Sequence, residues 1–124
     1  MLTPPCEIAC DAGEPVRGWL HALQADDVLR AWRMITRMNP LPACMGRICY
    51  APCEQRCVLG ARAGAVGIRA LEAAVGELAL REGWRLDEPR ESTGVRVVVV
   101  GSGPCGLSAT HQLVLAGHEV TLLD

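Results

Sequence analysis

Val95-Arg96-Val97-Val98-Val99-Val100-Gly101-Ser102-Gly103-Pro104-Cys105-Gly106 is a β-branched run that passes directly into a glycine loop. The run predicts a buried parallel strand. Leu107 to Ala116 then carries a helical pattern, and Gly117 ends it as a C′ residue. Glu119-Val120-Thr121-Leu122-Leu123 reads as a second strand that closes on Asp124. Strand, G-x-G-x-x-G, helix, strand and acid form the dinucleotide-binding fingerprint in its required context. Gly101 allows the tight turn, Gly103 lets the backbone approach a pyrophosphate, and Gly106 lets the helix pack against the strand. The N-terminus of the helix that follows offers free N–H groups to phosphate. Asp124 lies near the ~20-residue spacing of the acid that accepts ribose hydroxyls. Gly101, Gly103, Pro104, Gly106 and Asp124 are therefore the candidate cofactor-binding residues. The glycine loop alone does not separate FAD from NAD.

Two strands cannot close a doubly wound sheet. The expectation is a truncated Rossmann-type βαβ unit over 91–124, the N-terminal part of a longer protein. Upstream of it, residues 85–94 are polar, contain Pro89 and end in Ser-Thr-Gly, which predicts a linker. Before that, the pattern is helical. Val16, Trp19, Leu20 and Leu23 suit one helix face. Asp26 or Asp27 is placed to cap a second helix, with Val28, Leu29, Trp32, Ile35 and Met38 at helical spacing. Asn39-Pro40-Leu41-Pro42 stops it. A third helix is predicted from residue 66 to about 81, with Ile68, Leu71, Val75, Leu78 and Ala79 facing inward. The fold class expected is α+β: an all-α domain over 1–90 followed by the βαβ start.

Composition narrows the function. The chain has 124 residues, is 50% hydrophobic and 21% charged, and has a formal net charge of -2. All twelve basic residues are Arg, and the aromatics are three Trp and one Tyr. Neither a basic footprint nor a set of base-stacking platforms is present, so no nucleic-acid partner is expected. No apolar run approaches the ~20 residues of a membrane span. The start lacks the basic and apolar regions of a secretory signal, so a cytoplasmic location is expected.

Cysteine is the strongest signal in the all-α domain. Six of the seven Cys stand within the first 57 residues. An odd count at tight spacing is a poor disulfide framework and points to metal. Cys6 and Cys10 are four apart, as are Cys49, Cys53 and Cys57 in succession. Within a helix, that spacing aims side chains to one face. Such thiolate sets suit iron–sulfur clusters, whereas zinc prefers C-x-x-C knuckles, of which there are none.

Pro4-Pro5-Cys6-Glu7-Ile8-Ala9-Cys10-Asp11-Ala12-Gly13, then Cys49-Tyr50-Ala51-Pro52-Cys53-Glu54-Gln55-Arg56-Cys57, then Val66-Gly67-Ile68-Arg69-Ala70-Leu71-Glu72 resemble, in that order, the α-helical ferredoxin domain of the glutamate synthase small (beta) subunit family. Dihydropyrimidine dehydrogenase carries a similar domain. The resemblance implies 4Fe–4S clusters, FAD at the glycine loop and NAD(P)H bound further downstream. It implies that Cys10, Cys49 and Cys53 hold one cluster, completed by a polar side chain at the position of Glu72. It places Cys6 and Cys57 on the other cluster, together with two cysteines upstream of Cys6. No Cys stands among the five residues before Cys6, so that cluster is left with two ligands on paper. Asp11 stands where the family usually has Pro, and Cys44 lies one place before a non-ligand Cys position that Met45 fills.

Single residues carry bland readings beside these. Glu72 on its helix flank reads equally as a solvated side chain. His21, His111 and His118 have no Cys close in sequence and read as surface or helix-end residues. Cys105 reads as a small packed residue, and Arg47 and Arg56 either offset cluster charge or are solvated. No residue reads as a general acid, base or nucleophile, which fits redox work in which cofactors carry the chemistry. The function expected is the N-terminal part of an FAD-dependent, NAD(P)H-linked oxidoreductase that passes electrons through 4Fe–4S clusters to a redox partner protein or subunit. The alternative is a non-catalytic docking module stabilised by a structural metal.

Overall fold

A computed structural model describes residues 2–124. Its contacts divide the chain into two compact units, one running to Arg85 and the other from Leu86 to Asp124. The first unit is helical: α1 (Pro5–Ala9), α2 (Val16–Gln24), α3 (Val28–Thr36), α4 (Pro42–Ile48), α5 (Pro52–Gln55) and α6 (Ile68–Glu82). The second holds β1 (Arg96–Val100), α7 (Pro104–Leu115) and β2 (Glu119–Leu123). The class is α+β.

The core of the helical unit forms where α2, α3 and α6 meet. Val16, Trp19 and Ala22 of α2 face Ala31, Trp32 and Ile35 of α3, and Ile68, Val75 and Ala79 of α6 join them. Asp27 caps α3, its Oδ1 accepting from the Arg30 N–H at 3.0 Å. Leu29 and Met38, expected on the inner face, are exposed. The helix ends at Thr36, whose hydroxyl donates back to the Trp32 carbonyl, so Met38 falls in the following turn. Gly83 closes α6 in the left-handed region at φ 65°, and the Trp84 N–H returns to the Ala79 carbonyl at 3.0 Å. That turn sets Trp84 edge-on against Trp32, with ring centroids 5.6 Å apart.

The inner face of α6 keeps Ile68, Val75 and Ala79 as expected but takes in Glu72 in place of Leu71. Leu71 is 38% exposed, whereas Glu72 beside it is 7% exposed. The cause is the close crossing of α4 and α6. A Cβ on Gly46 would meet the Ala73 backbone at 2.6 Å, and one on Gly76 would meet Ala43 N at 2.3 Å. The 72–73–76 side of α6 therefore faces α4, and Leu71 turns outward.

In the second unit, β1 and β2 pair in parallel, in register from Arg96↔Glu119 to Val100↔Leu123. The helix starts earlier than its apolar pattern suggests, with Pro104 as its first residue and Gly103 as N-cap. The valine run is not buried on both faces as expected. Val97 and Val99 are half-buried, while Val98 and Val100 are exposed, because α7 covers one side of the pair only. The polar stretch before β1 is tied down within this unit. The Arg90 N–H donates to the Leu115 carbonyl and the Thr93 N–H to the Gly117 carbonyl. A Cβ on Gly117 would fall 2.2 Å from the Glu91 carbonyl oxygen.

Candidate functional site

The cysteines lie at helix ends, not along one helix. Cys6 is in α1, but Cys10 is its C-cap in extended conformation; Cys49 caps α4 in the same way. Ala51 then takes the left-handed conformation at φ 53°, Pro52 opens α5 and Cys53 follows within it. Cys57 lies beyond α5. The expectation that each four-residue ladder shares a helical face therefore fails. α1 ends at Ala9, just short of Cys10, the turn at Ala51 and Pro52 separates Cys49 from Cys53, and α5 ends at Gln55, before Cys57.

Packing of α1 on α5 regroups the thiols. Cys53 is buried, and its thiol is pushed up to about 11, chiefly by burial, with further contributions from Cys10 and Cys49. Cys53 is thus within electrostatic reach of both Cys10 and Cys49. Cys6 is raised by burial, and Cys57 adds to that rise. Cys6 and Cys57 line one cleft of about 270 Å³ with Pro5, Leu20, Val66 and Ile68. His21, isolated in sequence from every Cys, stands in the wall of that cleft. Backbone amides point at two of the sulfurs: the Ala51 N–H donates to Cys49 Sγ at 3.4 Å and the Val66 N–H to Cys57 Sγ at 3.5 Å. The Val66 amide, with those of Leu59 and Gly60, lowers the Cys57 thiol below its usual value. Cys44 and Cys105 are exposed. Among the described residues, no three His, Cys, Asp or Glu side chains gather closely enough to hold one metal ion.

Two acids adjoining cysteines cap helices. Glu7 Oε1 accepts from the Arg17 N–H at 2.9 Å, and Glu54 Oε1 from the Arg69 N–H at 2.8 Å. They fasten the Cys6 and Cys53 segments to the first turns of α2 and α6. The Arg69 guanidinium also donates to the Cys49 carbonyl at 2.9 Å. Arg47, beside Cys49 in sequence, pairs instead with Glu77 and the Ala43 carbonyl. Tyr50 and Asp11, each next to a cysteine, share a hydrogen bond across the site.

Glu72 is not solvated. It is buried with Glu14, and Asn39 Nδ2 donates to both carboxylates. Burial first, then the negative charge of Glu14, pushes Glu72 up to about 8; burial likewise raises Glu14, against the hydrogen bond from Asn39. Neither Glu14 nor Asn39 stands out in sequence, since they look like a helix entry and a helix stop. Their pairing spans 25 and 33 residues, so no local signal reveals it.

The raised value has a testable sign. An unfolded glutamate ionises near 4.5, whereas Glu72 in the folded, iron-free chain keeps its proton until about pH 8. The folded state binds more protons between these values, so stability falls as pH rises through that window. Thermal unfolding of the iron-free chain should therefore show a lower midpoint at about pH 8 than at about pH 5. Glu72→Gln should flatten most of that slope. An equally steep profile in the variant would assign the pH dependence to other groups.

The glycine loop divides its tasks by position. Gly101 sits at φ 104°, a conformation closed to most side chains. A Cβ on Gly103 would meet open space, whereas one on Gly106 would lie 1.8 Å from the Gly101 carbonyl oxygen. The loop thus presents bare backbone at Gly103 and packs backbone on backbone at Gly106. Ser102 Oγ donates to Asp124 Oδ1, which joins the loop to the end of β2.

Residues 2–84 match the family described as dihydropyrimidine dehydrogenase domain II, 4Fe–4S cluster. The chain belongs to this family. Homology extends past the domain, over 98% of the chain, to glutamate synthase small chains. It is 38% identical over 122 residues to the NADPH glutamate synthase small chain of Mycobacterium tuberculosis (strain ATCC 25618 / H37Rv) and covers 25% of that protein. It is 31% identical over 124 residues to the corresponding chain of Escherichia coli (strain K12), covering 26%. The NADH glutamate synthase of Saccharomyces cerevisiae (strain ATCC 204508 / S288c) is 42% identical over 127 residues, a match covering 6% of its length. The 4Fe–4S domain thus spans the helical unit, and the chain spans about a quarter of the small chains it matches. Among the described residues, no helix is long and apolar enough to cross a membrane.

Proposed function

We propose that this chain is the electron-transfer head of an FAD-dependent, NAD(P)H-linked oxidoreductase. Residues 1–90 would form the iron–sulfur domain, and residues 91–124 the start of a Rossmann-type dinucleotide-binding domain. Cys10, Cys49, Cys53 and Glu72 hold one 4Fe–4S cluster. Gly101, Gly103, Pro104, Gly106 and Asp124 receive the ADP moiety of FAD; NAD(P)H binds downstream. A redox partner protein or subunit takes the electrons.

The observation that carries this reading is the convergence of Cys53 with Cys10 and Cys49 from three separate elements. The donor set also fits the group. Thiolates are the ordinary ligands of iron–sulfur clusters, and hydrogen bonds to sulfur tune their potentials. Four ligands spread around a cubane need not converge on one point, so the absence of a single-ion trio is compatible with it. Cys6 and Cys57 supply two further thiol donors to a separate cleft. When bound, the cluster and flavin supply electron transfer; the chain supplies ligands, caps on the ligand-bearing turns, and a buried carboxyl whose proton must leave when iron binds.

Anaerobically purified protein tests the reading. Wild type should carry iron and acid-labile sulfide, with a broad absorbance near ~400 nm from the thiolate-bound cluster. Cys53→Ser should lose that iron, whereas Cys44→Ser, at an exposed thiol, should keep it. Equal loss from both would break the assignment. Zinc without colour would favour the docking module.

A further inference from the structure

Asn39 joins two carboxylates that stand far apart in the chain. Its Nδ2 donates to Glu14 Oε1 at 3.1 Å and to Glu72 Oε1 at 2.5 Å, and its Oδ1 accepts from the Leu41 N–H at 3.1 Å. All three side chains are buried: Glu14 is 4% exposed, Glu72 7% and Asn39 8%. Burying two carboxylic groups is costly, and apolar side chains of similar size would fill the same space at no such cost. Packing therefore does not account for them.

Their placement does. Glu14 follows Cys10 by four residues. Asn39 lies between α3 and α4, and α4 ends at Cys49. Glu72 is the next turn of α6 after Arg69, whose amide reaches Glu54 beside Cys53 and whose guanidinium reaches the Cys49 carbonyl. The network ties α6 to the segment that follows Cys10 and to the one that leads into α4 and Cys49.

We propose that Asn39 is a positioning residue that orients the Glu72 carboxylate for the cluster held by Cys10, Cys49 and Cys53. Its amide occupies Oε1, which leaves Oε2 as the atom available to iron. Glu14 takes the second N–H of the same amide and so fixes the amide's own orientation. Ligating carboxylates commonly depend on such partners. The inference rests on Glu72 as the fourth ligand, and the experiment separates the two.

Cluster loss to a chelator and the low-temperature EPR spectrum of the reduced chain are to be compared in wild type, Asn39→Ala, Glu72→Cys and the double variant. Asn39→Ala should lose its iron about 10–100-fold faster than wild type, the usual effect of removing a ligand's hydrogen-bond partner. Glu72→Cys should keep the cluster with an altered spectrum. The double variant should release iron at the rate of Glu72→Cys, because a thiolate at that position does not need the amide. If Asn39→Ala releases iron at the wild-type rate, or if the double variant is as labile as Asn39→Ala, the positioning role is overturned. Identical spectra for wild type and Glu72→Cys would instead remove Glu72 from the ligand set, and the inference with it. Should Asn39→Ala not fold, Asn39→Ser, which retains one donor, is read in the same comparison. Failure of both to fold, with and without Glu72→Cys, would show that the amide only holds the core together.

Discussion

Replacing Gly76 with valine should unfold the helical unit and release its iron. A Cβ at this position would lie 2.3 Å from Ala43 N, 2.8 Å from Ala43 Cα and 2.9 Å from Pro42 C. All three are backbone atoms, so no side chain can rotate out of the way. Relief requires α4 to move off α6. Gly46 is the reciprocal position, where a Cβ would lie 2.6 Å from Ala73 N, so the crossing is closed from both sides. Overpacking of this kind costs roughly 3 kcal/mol or more. A small domain is stable by about 5–15 kcal/mol, so the loss is a large fraction of the total. Cys49 caps the end of α4 and Glu72 lies on α6, so the same displacement would pull these candidate ligands away from each other. Gly18→Ala is the control. Its Cβ would meet only the tip of the Met34 side chain, which can swing aside, and the cost should be small. A urea midpoint for Gly76→Val equal to that of Gly18→Ala would show that the α4–α6 crossing is looser than these distances.

What could be read from the residues was local, and what could not was relational. Asp27 as a cap and Gly117 as a helix end are decided by neighbours within a few positions, and each stands where its chemistry puts it. The inner face of α6 is different. Periodicity ranks Leu71 above Glu72, yet the contact of Gly46 and Gly76 with the facing helix turns Glu72 in and Leu71 out. Two glycines carry no hydropathy signal, and their meaning exists only when both helices are present. The four-residue cysteine spacing misleads for a related reason. It aligns side chains only inside an unbroken helix, and Ala51 and Pro52 break this one. The thiols then group across elements, Cys53 with Cys10 and Cys49, because α1 packs on α5. Asn39 is the extreme case: in sequence it is a helix stop before proline, and in the fold it ties together carboxylates from two distant segments.

The glycine loop permits a sharper separation of folding from binding, since its two later glycines fail in different ways. Gly103→Val should leave the βαβ unit folded and abolish dinucleotide binding in the protein that contains it. Gly103 has φ -66° and ψ 174°, ordinary for valine, and its Cβ would enter open space. Nothing in the unliganded unit resists the substitution. The proposed ligand does, because a pyrophosphate must approach the backbone at that point and cannot share the space with a branched side chain. Gly106→Val should fail earlier. Its Cβ would fall 1.8 Å from the Gly101 carbonyl oxygen and 3.6 Å from Val99 Cγ1, so α7 would be pushed off β1 whether or not a nucleotide is present. Cluster iron should survive in both variants, because every candidate iron ligand lies between Cys6 and Glu72. The measurements are flavin content per chain, iron content per chain, and proteolytic resistance of the 86–124 unit. Gly103→Val should be resistant, iron-replete and flavin-free; Gly106→Val should be cleaved, iron-replete and flavin-free. Full flavin occupancy in Gly103→Val would mean that the cofactor does not lie on this loop, and the fingerprint would then be only a tight turn between two strands.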